Sequence, residues 1–329
     1  MDARLPVFER VGKRRRSDQV VTRLILVVAA LGVGTLCTLL LVTSSFRENK
    51  GLEKMGLSVL SVPSAAFCHR SAPPLVCADG GDVDVAPPNT REAIAAALDA
   101  GVTCIQLDLA RSKDGELMLI HDEDILRLLG ADSKMAVADL PAKEISALRY
   151  DTGESPADAR STLEWLVADA RAEHVIVDVR ARVQPIAHAK LADIERHRVA
   201  EELAESALGL IEATRCTKCM AWASDEAVVR RIRERNNSIK TGYVMPSSGG
   251  VGGLTEGERS AGLSGPHLKT GRAVHAWVAD SPRAMARVLD AGVDAIVTAH
   301  PKELLQAVRL LRRKCEAMES WHETSFMHM

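Results

Sequence analysis

Leu75-Val76-Cys77-Ala78-Asp79-Gly80-Gly81-Asp82, Pro88-Asn89-Thr90, Cys104-Ile105-Gln106-Leu107-Asp108-Leu109 and Met118-Leu119-Ile120-His121-Asp122 follow one another within residues 75–130. The first is a short aliphatic run that stops at a glycine pair, the pattern of a buried strand ending in a turn. Asn89 is the expected N-cap of a helix, with Glu92 as its capping-box partner and Gly101 closing it. In 105–109 the side chains alternate, so Gln106 and Asp108 share one strand face and the aliphatics the other. Ser112-Lys113-Asp114-Gly115 then makes a hairpin turn that presents His121. Polar groups converging between helical stretches predict a barrel whose mouth holds a site.

The rest of the chain continues the pattern. Strands are expected at 175–180, 220–223, 241–245, 274–279 and 295–298. Helices are expected at 143–148, 162–172 and 185–213, and after Asp225, Ser281-Pro282 and Pro301. Apart from the helix at 143–148, 122–159 reads as irregular. Alternating strands and helices with short joins predict an α/β chain with a parallel sheet, here a TIM-type (β/α)8 barrel. Between Met245 and Val274 lie fewer than 30 residues, rich in Gly and Ser and without an aliphatic run. The sixth strand–helix unit is therefore either truncated or absent, or replaced by a loose loop.

The 329-residue length and 47% hydrophobic content allow one large core with an appendage. A net charge of -2 argues against nucleic-acid binding, and 3% aromatics against an all-β fold. Seven cysteines are too few and too scattered for a disulfide scaffold. Cys216-Thr217-Lys218-Cys219 lacks the second pair that zinc needs; it reads as unremarkable or as a lumenal disulfide.

Residues 24–43 carry no charge and are long enough to span a bilayer; a cleaved signal peptide is the rival. Lys13, Arg14, Arg15, Arg16 and Arg23 precede the run, placing the N-terminus in the cytosol and the remainder in a lumen or outside the cell. The expected organisation is a basic tail (1–21), a transmembrane signal anchor (22–43), a linker (44–74), the barrel (75–315) and a C-terminal tail (316–329). His69-Arg70-Ser71, followed by Ala72-Pro73-Pro74, belongs to the linker on this reading.

The order Gly-Gly, Pro-x-Asn-Thr, x-x-Asp, Lys-Asp-Gly, His-Asp resembles the glycerophosphodiester phosphodiesterase family, most nearly its membrane-anchored plant branch, over about 75–311. The resemblance implies a barrel of the phospholipase-C-like phosphodiesterase kind. It implies metal-assisted hydrolysis of glycerophosphodiesters to an alcohol and glycerol 3-phosphate, a step of lipid and glycerol metabolism. It makes His121 one of two catalytic histidines, Asp108 and Asp178 metal ligands, and Arg180 and Trp277 substrate contacts, though Trp277 serves equally as core. Two positions depart from the family. Asp79 stands where the first catalytic histidine belongs, and Gln106 where a metal glutamate belongs.

Gln106 offers an uncharged oxygen, so affinity for Mg²⁺ or Ca²⁺ should be weakened. Asp79, expected to be ionised, is either a turn residue or a third carboxylate with Asp108 and Asp178 in a rearranged metal site. Thr298-Ala299-His300-Pro301 stands where the family has Thr-Asp-x-Pro. Two functions stay open: an active hydrolase, or a catalytically silent member that binds a phosphodiester or a protein partner.

Overall fold

The computed structural model describes residues 63–130, 135–180, 189–243 and 273–326. These all fall in one compact unit, Met55–Met329. Seven parallel strands make a curved sheet: β1 (Leu75–Asp79), β2 (Cys104–Arg111), β5 (His174–Val179), β6 (Cys219–Ala223), β7 (Lys240–Tyr243), β8 (His275–Ala276) and β9 (Ala295–Thr298). Their order is β7-β6-β5-β2-β1-β9-β8, an incomplete barrel wall of the TIM kind among the described residues. Antiparallel β3 (Leu117–Leu119) folds back on β2, and β4 (Ala157–Asp158) pairs with β3. The expected sixth unit lies at 244–272, outside the described residues, as do the basic tail, the transmembrane run and the linker up to residue 62. No helix among the described residues is long and apolar enough to cross a membrane.

Strand alternation divides the core in two. Outward side chains, including Ile105, Leu107, Leu109, Val175 and Val177, pack against helices. Those helices include α2 (Arg91–Asp99), α5 (Ala159–Ala168), α6 (Ala189–Ala213) and α7 (Glu226–Arg235). Each such aliphatic side chain removed from water contributes about 1.5–3 kcal/mol. Inward side chains, including Cys77, Cys104, Ile176, Trp222 and Val297, fill the barrel interior. Alternation therefore lifts Asp79, Gln106, Asp108 and Asp178 above that floor, each two residues beyond an inward apolar position or another of the set.

The turn after β1 depends on its glycines. Gly80 (φ 64°) and Gly81 (φ 114°) take backbone conformations that side chains disfavour, and a Cβ on Gly81 would lie 2.4 Å from the Ala93 carbonyl carbon. That approach seats the loop against α2. The cap of α2 is Thr90, which accepts from Ala93 N, not the expected Asn89. Asn89 has φ 61°, and its side chain is committed elsewhere.

Four further expectations change. The span after His121 is not irregular: it opens with α3 (Asp122–Leu129), whose first turn holds three acidic residues, and continues to α4 (Ala142–Ala147). The strand expected at 274–279 shortens to β8. After α8 (Pro282–Ala291), the closing helix α9 (Pro301–Phe326) runs through the stretch assigned to a tail. Finally, the end of the expected linker is pinned to the barrel. Short helix α1 (Ala65–Cys68) buries Phe67, Arg70 pairs with Asp294 at 2.7 Å, and Cys68 is bonded to Cys315.

Cys77–Cys104 and Cys216–Cys219 are also disulfides. Four of these six cysteines are far apart in sequence: strand register places Cys77 beside Cys104, and the fold brings Cys68 onto Cys315, whereas Cys216 and Cys219 are near neighbours. The Cys-x-x-Cys pair thus forms a disulfide, one of the two alternatives expected for it.

Candidate active site

Parallel register sets the site. Asp79 lies opposite Gln106 on β1 and β2, and Asp108 opposite Asp178 on β2 and β5. Asp79 and Asp178 stand at the carboxyl-terminal ends of β1 and β5, level with Gln106 and Asp108 of the longer β2, where barrel side chains project into the mouth.

Two groups of contacts result. In the first, Gln106 Nε2 donates to Asp79 Oδ1 at 2.9 Å, while Gln106 Oε1 is buried without a hydrogen-bond partner among the described residues. In the second, Arg180 spans both aspartates. Its Nη2 lies 2.7 Å from Asp108 Oδ1 and 2.8 Å from Asp178 Oδ2, and its Nε donates to Asp178 Oδ2 at 2.8 Å. The guanidinium stands 5.5 Å from the centre of the Trp277 ring, within cation–π range. Asn89 completes the group: Nδ2 donates to Asp108 Oδ2 at 2.8 Å, and Asp108 N donates to Asn89 Oδ1 at 3.0 Å. Asn89 is a site residue that capping logic misplaced. The Asn-Thr pair was visible in sequence, but its fixed bond to Asp108 was not.

His121 follows β3, and Ile120 N donates to Asp108 O at 3.2 Å, so the chain leaves the hairpin at the level of Asp108. The ring caps α3, with Nδ1 accepting from Glu123 N at 3.0 Å. In the neutral ring the proton therefore resides on Nε2. The structure joins Asp79 to Gln106, and Asp108, Asp178 and Trp277 to Arg180, through direct contacts; the hairpin backbone ties the residue before His121 to Asp108.

The buried carboxyl groups are unusual acids. Burial first, then the Asp108 charge, holds Asp79 well above the ordinary carboxylate range against the opposing effect of Arg180. Asp79 is thus not the ordinary ionised side chain expected of a turn residue. Burial likewise pushes Asp178 up to about 7, against the opposing pull of Arg180 and with help from Asp108.

The implied divalent cation fits these residues poorly. Arg180 occupies the space between Asp108 and Asp178, Asp79 accepts from Gln106, and Gln106 brings one neutral oxygen. Among the described residues no three His, Cys, Asp or Glu side chains are grouped to hold an ion. The expected site of Asp79, Asp108 and Asp178 is therefore not formed: a guanidinium lies between Asp108 and Asp178, and Asp79 is bonded to Gln106.

Comparison with known proteins agrees with the architecture. The sequence profile of the glycerophosphoryl diester phosphodiesterase family matches residues 81–242. The glycerophosphodiester phosphodiesterase GDPD4 of Arabidopsis thaliana is 32% identical over 262 residues, 74% of this chain and 76% of that protein. A crystal structure of a glycerophosphodiester phosphodiesterase from Parabacteroides distasonis superposes with a TM-score of 0.56 at 15% identity, covering 71% of this chain and 96% of that one. A phosphodiesterase of Oleispira antarctica, solved with the product sn-glycerol-3-phosphate, gives a TM-score of 0.55 at 16% identity, covering 72% and 97%. At these identities the two structures speak for the fold, and the plant relative speaks for descent. The chain belongs to the glycerophosphodiester phosphodiesterase family.

Proposed function

We propose that this chain hydrolyses glycerophosphodiesters to an alcohol and sn-glycerol 3-phosphate at the mouth of the barrel. The observation that carries this is the placement of Arg180 between Asp108 and Asp178, beside the strand end from which His121 emerges. In such a reaction water attacks phosphorus, a base takes the water's proton, and the departing alcohol oxygen receives a proton from an acid. Asp79 suits the acid role, because burial keeps its carboxyl group protonated to higher pH than an exposed one. His121 suits the base role once its ring releases the bond from Glu123 N, since that bond holds its free lone pair. Arg180 orients a phosphate oxygen through its planar fork.

A second reading has its own support. The Asp79–Gln106 bond and the cap bond on His121 occupy the two proton-transfer groups, as in a silent member that binds a phosphodiester without cleaving it. A coupled assay for glycerol 3-phosphate with glycerophosphocholine as substrate tests the choice. Turnover that disappears in His121→Ala supports hydrolysis; saturable binding with no turnover supports the silent reading.

The uncharged run within 22–43 would anchor the chain in a membrane with the barrel lumenal or extracellular. Three disulfides are consistent with such an oxidising compartment.

A further inference from the structure

We infer that Arg180 takes the place of the divalent cation in this chain, so that the pocket receives a phosphate group without a metal ion. The inference rests on the phosphodiester reading of the site. Asp108 and Asp178 face each other in register, the arrangement that would otherwise cup an ion. Arg180 fills the gap: Nε donates to Asp178 Oδ2 at 2.8 Å, and Nη2 makes ion-pair contacts of 2.7 Å with Asp108 and 2.8 Å with Asp178. The second oxygen of Asp108 is held by Asn89 at 2.8 Å, and the ring of Trp277 lies against the guanidinium. A divalent ion entering here would meet a like charge at contact distance and would have to displace those bonds. Leaving a buried charge unpaired in this way is costly.

Gln106 points the same way. A glutamate at that position would bring the charge a hard cation needs, whereas the amide spends its Nε2 on Asp79. Arg180 retains capacity for an anion. Nη1 makes no hydrogen bond among the described residues, and the side chain remains 27% exposed. A guanidinium already fixed by two carboxylates loses little freedom on binding, and its remaining donors match the spacing of phosphate oxygens.

Isothermal titration of the full chain with sn-glycerol 3-phosphate tests the inference, once in EDTA and once in excess Mg²⁺ or Ca²⁺. The expected result is the same affinity in both, with no heat from either ion alone. Arg180→Met should weaken binding by about tenfold or more, and Arg180→Lys, which keeps the charge and the fold, by less. Binding that requires the divalent ion, or ion binding in the absence of ligand, overturns the inference but leaves the phosphodiester site standing. Binding equal in both buffers yet unchanged in Arg180→Lys and in folded Arg180→Met overturns it also. No binding in either buffer overturns the inference together with the site it rests on.

Discussion

Gln106 gives an amide hydrogen to Asp79 across the β1–β2 pair, with Nε2 and Oδ1 2.9 Å apart. A glutamate in the same place would set two acids against each other in a buried setting, where both cannot ionise without cost. Gln106→Glu is therefore expected to lower stability by about 1–3 kcal/mol at pH 8. Raised carboxyl pKa values stabilise below the ordinary range and cost stability as pH rises through them, so most of the loss should vanish by pH 5. Urea unfolding at the two pH values measures this; an equal loss at both contradicts it.

Asn89 serves Asp108 at two points, and its removal leaves a buried carboxylate oxygen and a backbone N–H unpaired. Asn89→Ala is expected to cost about 1–3 kcal/mol per orphaned group, at the upper end for the charged one. Any hydrolysis should fall with it, because Asp108 would no longer be held for Arg180. Thermal unfolding and turnover, measured together, should both decline.

The glycine turn separates two kinds of glycine. Gly81→Ala would press a methyl group into the backbone of α2 at 2.4 Å, whereas Gly153, with φ 100°, has nothing within 4 Å. The first substitution is expected to cost about 3 kcal/mol or more and the second about 1–2 kcal/mol. Comparable melting temperatures for the two variants would contradict this packing.

His300 and Asp84 pair at 3.1 Å beside the β1 turn. Burial works to lower the His300 pKa, but the Asp84 hydrogen bond and charge prevail and raise it. A histidine raised in the folded state stabilises below its unfolded pKa and loses that contribution as pH climbs past the folded value. With both side chains partly exposed, the pair contributes about 1 kcal/mol at most. Asp84→Asn should lower the melting temperature at pH 5.5 and not at pH 8.5.

The Cys68–Cys315 bond joins residues 247 apart and fixes α1 to the closing helix. Its removal in Cys68→Ser/Cys315→Ser is expected to cost about 2–5 kcal/mol. Limited proteolysis should then cut first near residues 63–74, ahead of the barrel strands.

Much of this was legible in the chain because β1, β2, β5, β6 and β9 are aliphatic runs bounded by turn residues, and Ser281-Pro282 and Gly292 mark a helix plainly. α3 was hidden because its start signal is acidic and its cap is His121, a residue ordinarily read as chemistry. Asn89 looked like a cap because Asn fills that role so often; tertiary pairing with Asp108 prevailed over local preference. The family motifs located Asp79, Gln106, Asp108, Asp178 and Arg180 on neighbouring strand ends. No periodicity could tell that Arg180 would lie between the aspartates, since that depends on side-chain reach across β2 and β5. The disulfide partners were likewise a matter of register and barrel closure.

Phosphorus NMR of glycerophosphocholine incubated with the full chain bears most directly on the proposed hydrolysis. A growing glycerol 3-phosphate signal with the unaltered protein, absent with His121→Ala, is the expected result. A signal produced by Asp79→His/Gln106→Glu and never by the unaltered chain would contradict it.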